Sequence, residues 1–274
     1  DFTLAGMRFS VTGFKEKLTD GYSFGLDRSS FHIFELKKYE GISRAGTYPS
    51  LKYSNSANVV LSYMKPLNNK VDETRGIEFD LDFGQIRPIR TSFVLNGAYM
   101  RTDMYSTSES YFQKSPDSGG VYKDIGIYAS GDGSRYSRFS TNLRVIHNIP
   151  KIGFVISMSL QTIWIDTQEN LGTDNIRPVA YLSASNLKYI PVGENDTVNP
   201  DIQKQILANR LIKESYNPLW LCNLRITKEI GEYFGFLNNV FKTNPLEESR
   251  RNPGSYISSR NPSQFFGIEA WVKF

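Results

Sequence analysis

A period of two runs through this chain and limits what it can fold into. In "SQFFGIEAWVKF" (263–274), Phe266, Ile268, Ala270, Val272 and Phe274 are apolar, with Gly267, Glu269, Trp271 and Lys273 between them. Side chains at every second position share one face of an extended backbone, so the segment predicts a β-strand with one apolar face and one mixed face. The pattern recurs. In 76–84, Ile77, Phe79, Leu81 and Phe83 alternate with Glu78, Asp80 and Asp82; in 152–164, Phe154, Ile156, Met158, Leu160 and Trp164 alternate with Ser157, Ser159 and Gln161. Segment 218–227 sets Trp220, Cys222, Leu224 and Ile226 against Asn223, Arg225 and Thr227, and 4–12 sets Ala5, Met7, Phe9 and Val11 against Arg8, Ser10 and Thr12. Weaker alternation at 91–104, 138–149 and 233–241 brings the expectation to eight strands in an all-β, antiparallel fold.

The links between the strands alternate in length. Short, turn-like links lie at 84–90, 148–152 and 228–233, and long polar ones at roughly 15–71, 105–137, 167–217 and 242–262. Antiparallel neighbours joined in this way collect every short turn at one end and every long loop at the other, which is the plan of an outer-membrane β-barrel. By parity, the last strand ends on the short-turn side and Phe274 is expected at the periplasmic rim. Composition agrees. A mean hydropathy of −0.39 and the lack of a run of about 18 apolar residues exclude a transmembrane helix, yet a barrel built from alternating strands has the same average. The net charge of +4 over 274 residues is too mild to argue for nucleic acid. One cysteine, Cys222, excludes an internal disulfide framework and any multi-cysteine metal site. The opening "DFTLAGMRFS" has neither an initiating Met nor a basic leader, so a processed chain or a piece of a longer one is expected.

The two faces can then be assigned. A sheet in hydrocarbon must close on itself, with one face to lipid and one to a wet interior. The apolar rows are expected to meet outer-membrane lipid; Glu78, Asp80, Asp82, Arg144, Arg225, Glu269 and Lys273 are expected to face the lumen. Trp164, Trp220, Tyr99 and Phe274 fall near predicted strand ends, where interfacial aromatics belong. A soluble or surface β-sandwich that binds carbohydrate alternates in the same way and is the alternative. Within the third long link, Asn199 at an N-cap and Pro200 at the first helical position predict a short helix over 199–213.

No catalytic chemistry stands out, and no enzyme, cofactor or metal is expected. Glu78, Asp80 and Asp82 lie ~6.5–7 Å apart along one strand face, close to glycosidase spacing, but hydrolases take such a pair from different strands. Lumen-facing charges paired with arginines of neighbouring strands are the simpler account. His32 and His147 are far apart and have no second ligand at metal spacing. "SGDGS" (130–134) and "GENDTVN" (193–199) are rich in oxygen donors but match turns better than a Ca²⁺ loop. Loop aromatics such as Tyr22, Phe24, Tyr105, Tyr111, Phe112, Tyr122 and Tyr136 read mainly as loop packing.

A family resemblance adds to this. "LCNLRITKEIGEYFGFLNNVFKTNP" (221–245) followed by "SYISSRNPSQFFGIEAWVKF" (255–274) resembles the C-terminal barrel of TonB-dependent outer-membrane receptors of Bacteroidetes-type bacteria. "ETRGIEFDLDFGQIRPIRTSFVLNGAYMRT" (73–102) and "RFSVTGFKEKLTDGYS" (8–23) look like further hairpins of that family. The resemblance implies a 22-stranded barrel of which this chain is about the last third, with an N-terminal plug and its TonB contact elsewhere. It implies import of a scarce nutrient, a glycan, peptide, siderophore or similar, and no enzyme activity. It also implies outer-membrane lipid, the TonB complex (through the missing N-terminal part), the barrel-assembly machinery and a surface lipoprotein as partners, with no nucleic acid. Such barrels end in a strand with a terminal aromatic, and Phe266, Ile268, Val272 and Phe274 fit that end signal. The Gly usual five residues before the end is Glu269 here, with Gly267 two earlier.

Overall fold

Backbone ladders, once started, run well past the apolar residues that start them. The structure is a computed structural model describing all residues except 1, 5, 116–122, 173–176, 205–208, 229–232, 243–246, 258–264 and 271–274. In chain order the strands begin with β1 (Phe2–Leu4), β2 (Met7–Gly25), β3 (Phe31–Ser43), β4 (Ser50–Ser62), β5 (Lys65–Ile86) and β6 (Thr91–Ser106). They continue with β7 (Ser110–Gln113), β8 (Ile125–Tyr128), β9 (Gly133–Ile149), β10 (Phe154–Leu171), β11 (Ala180–Leu182) and β12 (Tyr189–Pro191). The last are β13 (Glu214–Ser215), β14 (Leu219–Lys228), β15 (Tyr233–Lys242), β16 (Glu247–Glu248), β17 (Tyr256–Ile257) and β18 (Phe265–Ala270).

One large sheet has the order β1-β2-β5-β6-β9-β10-β14-β15-β18, and β13 pairs with β10 beyond β14. Every pairing is antiparallel. Leaving aside the short β1, the members along this path are the eight expected strands in their expected order, an up-and-down meander. The sheet is open, ending at β1 and β18. Several strands are far longer than the alternating segments that announced them: β5 has 22 residues and β2 has 19. Lys15–Lys17 and Tyr105, expected in long links, and Glu73–Arg75, expected between a link and a strand, continue the same ladders. Their polarity is no obstacle, because ladder hydrogen bonds are made by the backbone.

The turns at one end share a design. The β5–β6 link is a 3₁₀ turn (Arg87–Ile89) with Pro88, closed by Arg90 at φ 49°; the β9–β10 link is a 3₁₀ turn (Pro150–Ile152) closed by Gly153 at φ 66°. In both, the left-handed residue donates its N–H to the carbonyl three residues back. Proline fixes one φ within each turn, at Pro88 and Pro150, and a single left-handed residue turns the chain into the returning strand.

At the opposite end the long links carry structure of their own. A four-stranded sheet, β12-β11-β8-β7, packs beside the base of the β3–β4 hairpin, and β16 pairs with β17. Phe31, Val60, Ile125, Ile127, Ala180 and Leu182 form a dry core there, joined by Leu26, Ile33 and Tyr111. The principal core of the described residues therefore lies among the loops, and the great sheet is left with open faces. Among the described residues of 199–213, which exclude 205–208, the expected helix does not form. Asn199 does cap a turn, its side chain accepting from the Asp201 N–H, but that turn (Pro200–Ile202) is 3₁₀ and stops at extended Gln203. Ile202 is drawn into the cap, and both its carbonyl and the Lys204 N–H bond the Tyr128 hydroxyl, which needs an extended backbone.

Candidate functional site

Register across the sheet sorts its side chains into rows, and the rows define two unlike faces. One face carries Phe9–Leu81–Leu95–Leu143–Leu160–Cys222, and beside it Val11–Phe79–Gly97–Thr141–Thr162–Trp220. Next come Gly13–Ile77–Tyr99–Phe139–Ile165, where a bulge on β10 at Trp164 lets the indole reach back and donate to Thr141 Oγ1 at 2.8 Å. Trp164 and Trp220 meet edge to face at 5.1 Å. Trp220, the second residue of β14, does sit at a strand end, whereas Trp164 and Tyr99 mark the upper limit of the apolar band while β10 and β6 run on.

The other face is polar. Its rows read Arg8–Asp82–Val94–Arg144–Ser159–Asn223, Ser10–Asp80–Asn96–Asn142–Gln161–Leu221 and Thr12–Glu78–Ala98–Ser140–Ile163–Leu219. Between them lies a shallow depression of about 430 Å³ lined by Ser10, Thr12, Glu78, Asp80, Asn96, Asn142 and Gln161. Two glycines let aromatic rings lie flat on the sheet. Phe14 covers Gly76 on the polar face and Phe79 covers Gly97 on the apolar one, where an added Cβ would fall 2.7 and 2.6 Å from the rings.

Of the charged residues expected on one face, register puts Glu78, Asp80, Asp82, Arg144 and Arg225 on one face, but not paired as expected. Among the described residues none of Glu78, Asp80, Asp82 and Arg144 makes an ion pair: hydroxyl, amide or apolar residues stand opposite Glu78, Asp80 and Arg144, and Asp82, although in register with Arg8, does not pair with it. Asp82 instead accepts from the Gly84 N–H at 2.9 Å, bracing the bulge before the β5–β6 turn. Arg225 is in register with Ser157 and Phe236, and backbone pairing sets Glu269 opposite Phe234 on β15. Phe266 and Ile268 are in register with Leu237 and Gly235. Val272, Lys273 and Phe274 lie outside the described residues.

The cap is tied down by charge. Arg28 grips both Glu109 oxygens, at 2.8 and 3.3 Å, and stacks over Tyr189 at 4.0 Å. Tyr111 donates to Glu109 at 3.0 Å and packs on Phe31. The hydrogen bond from Arg28 holds the Glu109 carboxyl below its usual value against the cost of burial. Burial, then the Glu109 carboxylate, pushes the Tyr111 hydroxyl well up. Lys114 and Lys123 together depress Asp201. Glu214 is buried, which would raise it, yet it ends lower because the Ser249 hydroxyl and the Arg250 and Arg251 N–H groups all donate to it. Apart from Tyr111–Glu109, none of these staples was legible in the sequence, since each joins residues from different long links.

The loop motifs resolve as turns. In 130–134, Asp132 is held by Arg210 at 3.0 Å and Lys204 at 3.8 Å; in 193–199, Asp196 accepts from the Gly193 N–H. His32 stacks on Tyr63, and His147 Nδ1 bonds Thr91 Oγ1 at 2.8 Å. Tyr22 and Phe24 remain exposed, whereas Tyr111 is packed; Tyr122 lies outside the described residues. Among the described residues no three His, Cys, Asp or Glu side chains converge as a metal site. No protein-family model, curated protein or solved structure matches this chain.

Proposed function

We propose that this chain is a stretch of transmembrane β-barrel wall with its extracellular loop cap, belonging to a TonB-dependent outer-membrane transporter that imports a nutrient. One observation carries the reading: a continuous apolar face, with Val11 at 66% and Ile77 at 53% exposure, that no second sheet of the described residues covers. A soluble sandwich would bury such a face against a partner sheet about 10 Å away. The band fits a bilayer in height. From Phe154 to Ile165 the apolar row covers about 33 Å of strand, or about 25 Å at a tilt of ~40°.

The open edges support a piece of a larger wall, since unpaired edges in hydrocarbon leave backbone groups without partners. The family resemblance of 8–23, 73–102, 221–245 and 255–274 supplies the transporter assignment. On this reading the polar face lines the lumen, and Glu78, Asp80, Asp82, Arg144, Arg225, Glu269 and Lys273 meet water or the N-terminal plug. The loop cap captures the nutrient, and gating belongs to the plug and the TonB complex. Phe274 gives the barrel-assembly machinery its end signal, and a surface lipoprotein could be seated on the cap.

The test is an immunoblot of fractionated native cells with an antibody against 167–217. A band well above 31.2 kDa in the alkaline-washed outer membrane is expected. A band at that mass in the same fraction would mean a small barrel complete in itself, and a soluble band would end the barrel reading.

A further inference from the structure

Where the apolar band stops, the same face changes character in a single step. Its last row is Gly13–Ile77–Tyr99–Phe139–Ile165; two residues further out the row is Lys15–Arg75–Arg101–Ser137–Thr167. Three cations on three adjacent strands stand side by side, spanning about 10 Å at the ~4.8 Å strand spacing, with no carboxylate in the row. The acids come one row later, at Glu73, Asp103 and Glu169, and are already engaged. Asp103 takes Arg135 at 2.6 Å and Arg101, of the cation row itself, at 3.3 Å; Glu169 takes Lys213 at 3.0 Å and Arg135 at 3.4 Å, and Glu73 takes Lys15 at 3.0 Å. With Lys17, these two rows hold five cations against three carboxylates, and Lys213 reaches in from a loop as a sixth. Arg75 is exposed and has neither an ion pair nor a hydrogen bond among the described residues. Its planar fork is therefore unspent.

Along the register rows of this face, the excess lies at this end of the band. At the short-turn end of the band the rows are Thr91–His147–Ile156–Ile226 and Ile149–Phe154–Lys228, and the one cation in these rows lies over the Phe154 ring at 4.7 Å, while Arg87, Arg90 and Lys151 belong to the turns beyond them. On the polar face at the height of the cation row, Arg138 is paired with Asp166 at 3.3 Å.

We propose that Lys15, Arg75 and Arg101 form a docking row for the phosphate of an outer-leaflet lipid headgroup. The inference rests on the wall reading above. The occupant follows from continuity: the row begins where the interfacial aromatics end, so a bound molecule has an apolar part along Ile77 and Tyr99 and an anionic part at the cations. A lipid carrying a phosphate monoester has that shape. Guanidinium forks bind phosphate oxygens bidentately, and basic residues at a membrane surface attract anionic lipid.

The test uses the intact natural protein, purified in detergent and reconstituted into phosphatidylcholine vesicles with and without phosphatidic acid. The readout is phosphatidic acid retained per protein after re-extraction. R75Q is the informative single variant, because Arg75 has no ion pair or hydrogen bond among the described residues to lose; K15Q/R75Q/R101Q is the full test, and K37Q/K38Q/K52Q on the β3–β4 hairpin removes equal charge elsewhere. Selective retention is expected, falling about fivefold for each cation removed from the row and unchanged in the hairpin control. Equal retention by wild type and R75Q, or an equal fall in the control, overturns the docking row while leaving the wall reading in place. Displacement of all retained lipid by inorganic phosphate would make it a site for the free anion and overturn the lipid assignment. A protein that stays in solution without detergent and does not enter either vesicle removes the wall reading, and the row with it.

Discussion

Glu214 shows how much the loop cap depends on single groups that sequence patterning does not flag. Its carboxylate is almost fully buried and accepts from Ser249, Arg250 and Arg251, with Arg251 also bonding Ile212, Gln168 and Asn170. Glu214→Ala leaves buried donors unpaired and is expected to cost about 3 kcal/mol locally. Hydrogen exchange at 212–215 and 249–252 should accelerate, with the β5–β6 amides unchanged; exchange spread evenly over the sheet would refute a local role. Glu109 makes a second residue-scale prediction. Its folded value lies below the ordinary 4.5 because the Arg28 hydrogen bond outweighs burial, so its contribution is complete above that value and is lost as pH falls through the depressed folded one. Asp201, held by Lys114 and Lys123, acts in the same sense. Limited proteolysis of the cap should therefore rise only at pH below about 4.5. Arg28→Met should move that onset upward, toward the ordinary carboxyl value.

At the scale of elements, the β5–β6 pair is where small residues decide packing. An added Cβ at Gly97 would meet the Phe79 ring at 2.6 Å and the Ser140 carbonyl at 2.9 Å, and the latter is backbone that cannot step aside. Gly97→Val is expected to cost about 2 kcal/mol through overpacking, read as a lower temperature for loss of the folded, fast-migrating form in detergent electrophoresis. Asn96→Val, one position along and on the open polar face, should leave that temperature nearly unchanged. Existence, order and facing of the strands were legible because alternation writes them directly: Ile77 to Phe83 fixes which face of β5 is which. Strand length was not, because Lys15 or Glu73 extends a ladder as readily as it enters a loop, and only a neighbouring strand decides. The 199–213 segment failed for a related reason. Its cap and proline are genuine helix-start signals, but the buried Tyr128 hydroxyl offers the following backbone other partners. The charged face was legible from period two alone; its missing ion pairs were not, since they depend on which residues register brings opposite.

At the scale of the whole molecule, the two faces of one sheet should respond oppositely to the same substitution. Leu160 stands mid-band, flanked by Leu143 and Cys222, while Asn142 stands one residue along from Leu143 on the polar face, flanked by Asn96 and Gln161. An arginine near the middle of a lipid-facing band costs ~2–4 kcal/mol, and one on the lumen face costs little because it stays hydrated. Leu160→Arg should therefore lower unfolding stability in bilayers by about that amount, while Asn142→Arg leaves it within experimental scatter. A soluble sandwich would also suffer from Leu160→Arg, so the solvent must separate the cases. In the wall reading, wild type needs detergent or lipid to stay dispersed, and the penalty of Leu160→Arg shrinks as the band is thinned with short-chain lipids that bring water closer to the middle rows. In a sandwich, wild type is soluble without detergent and the penalty ignores lipid chain length. The dependence of that one variant on bilayer thickness tests whether the uncovered apolar face is a surface for lipid or a core awaiting a partner.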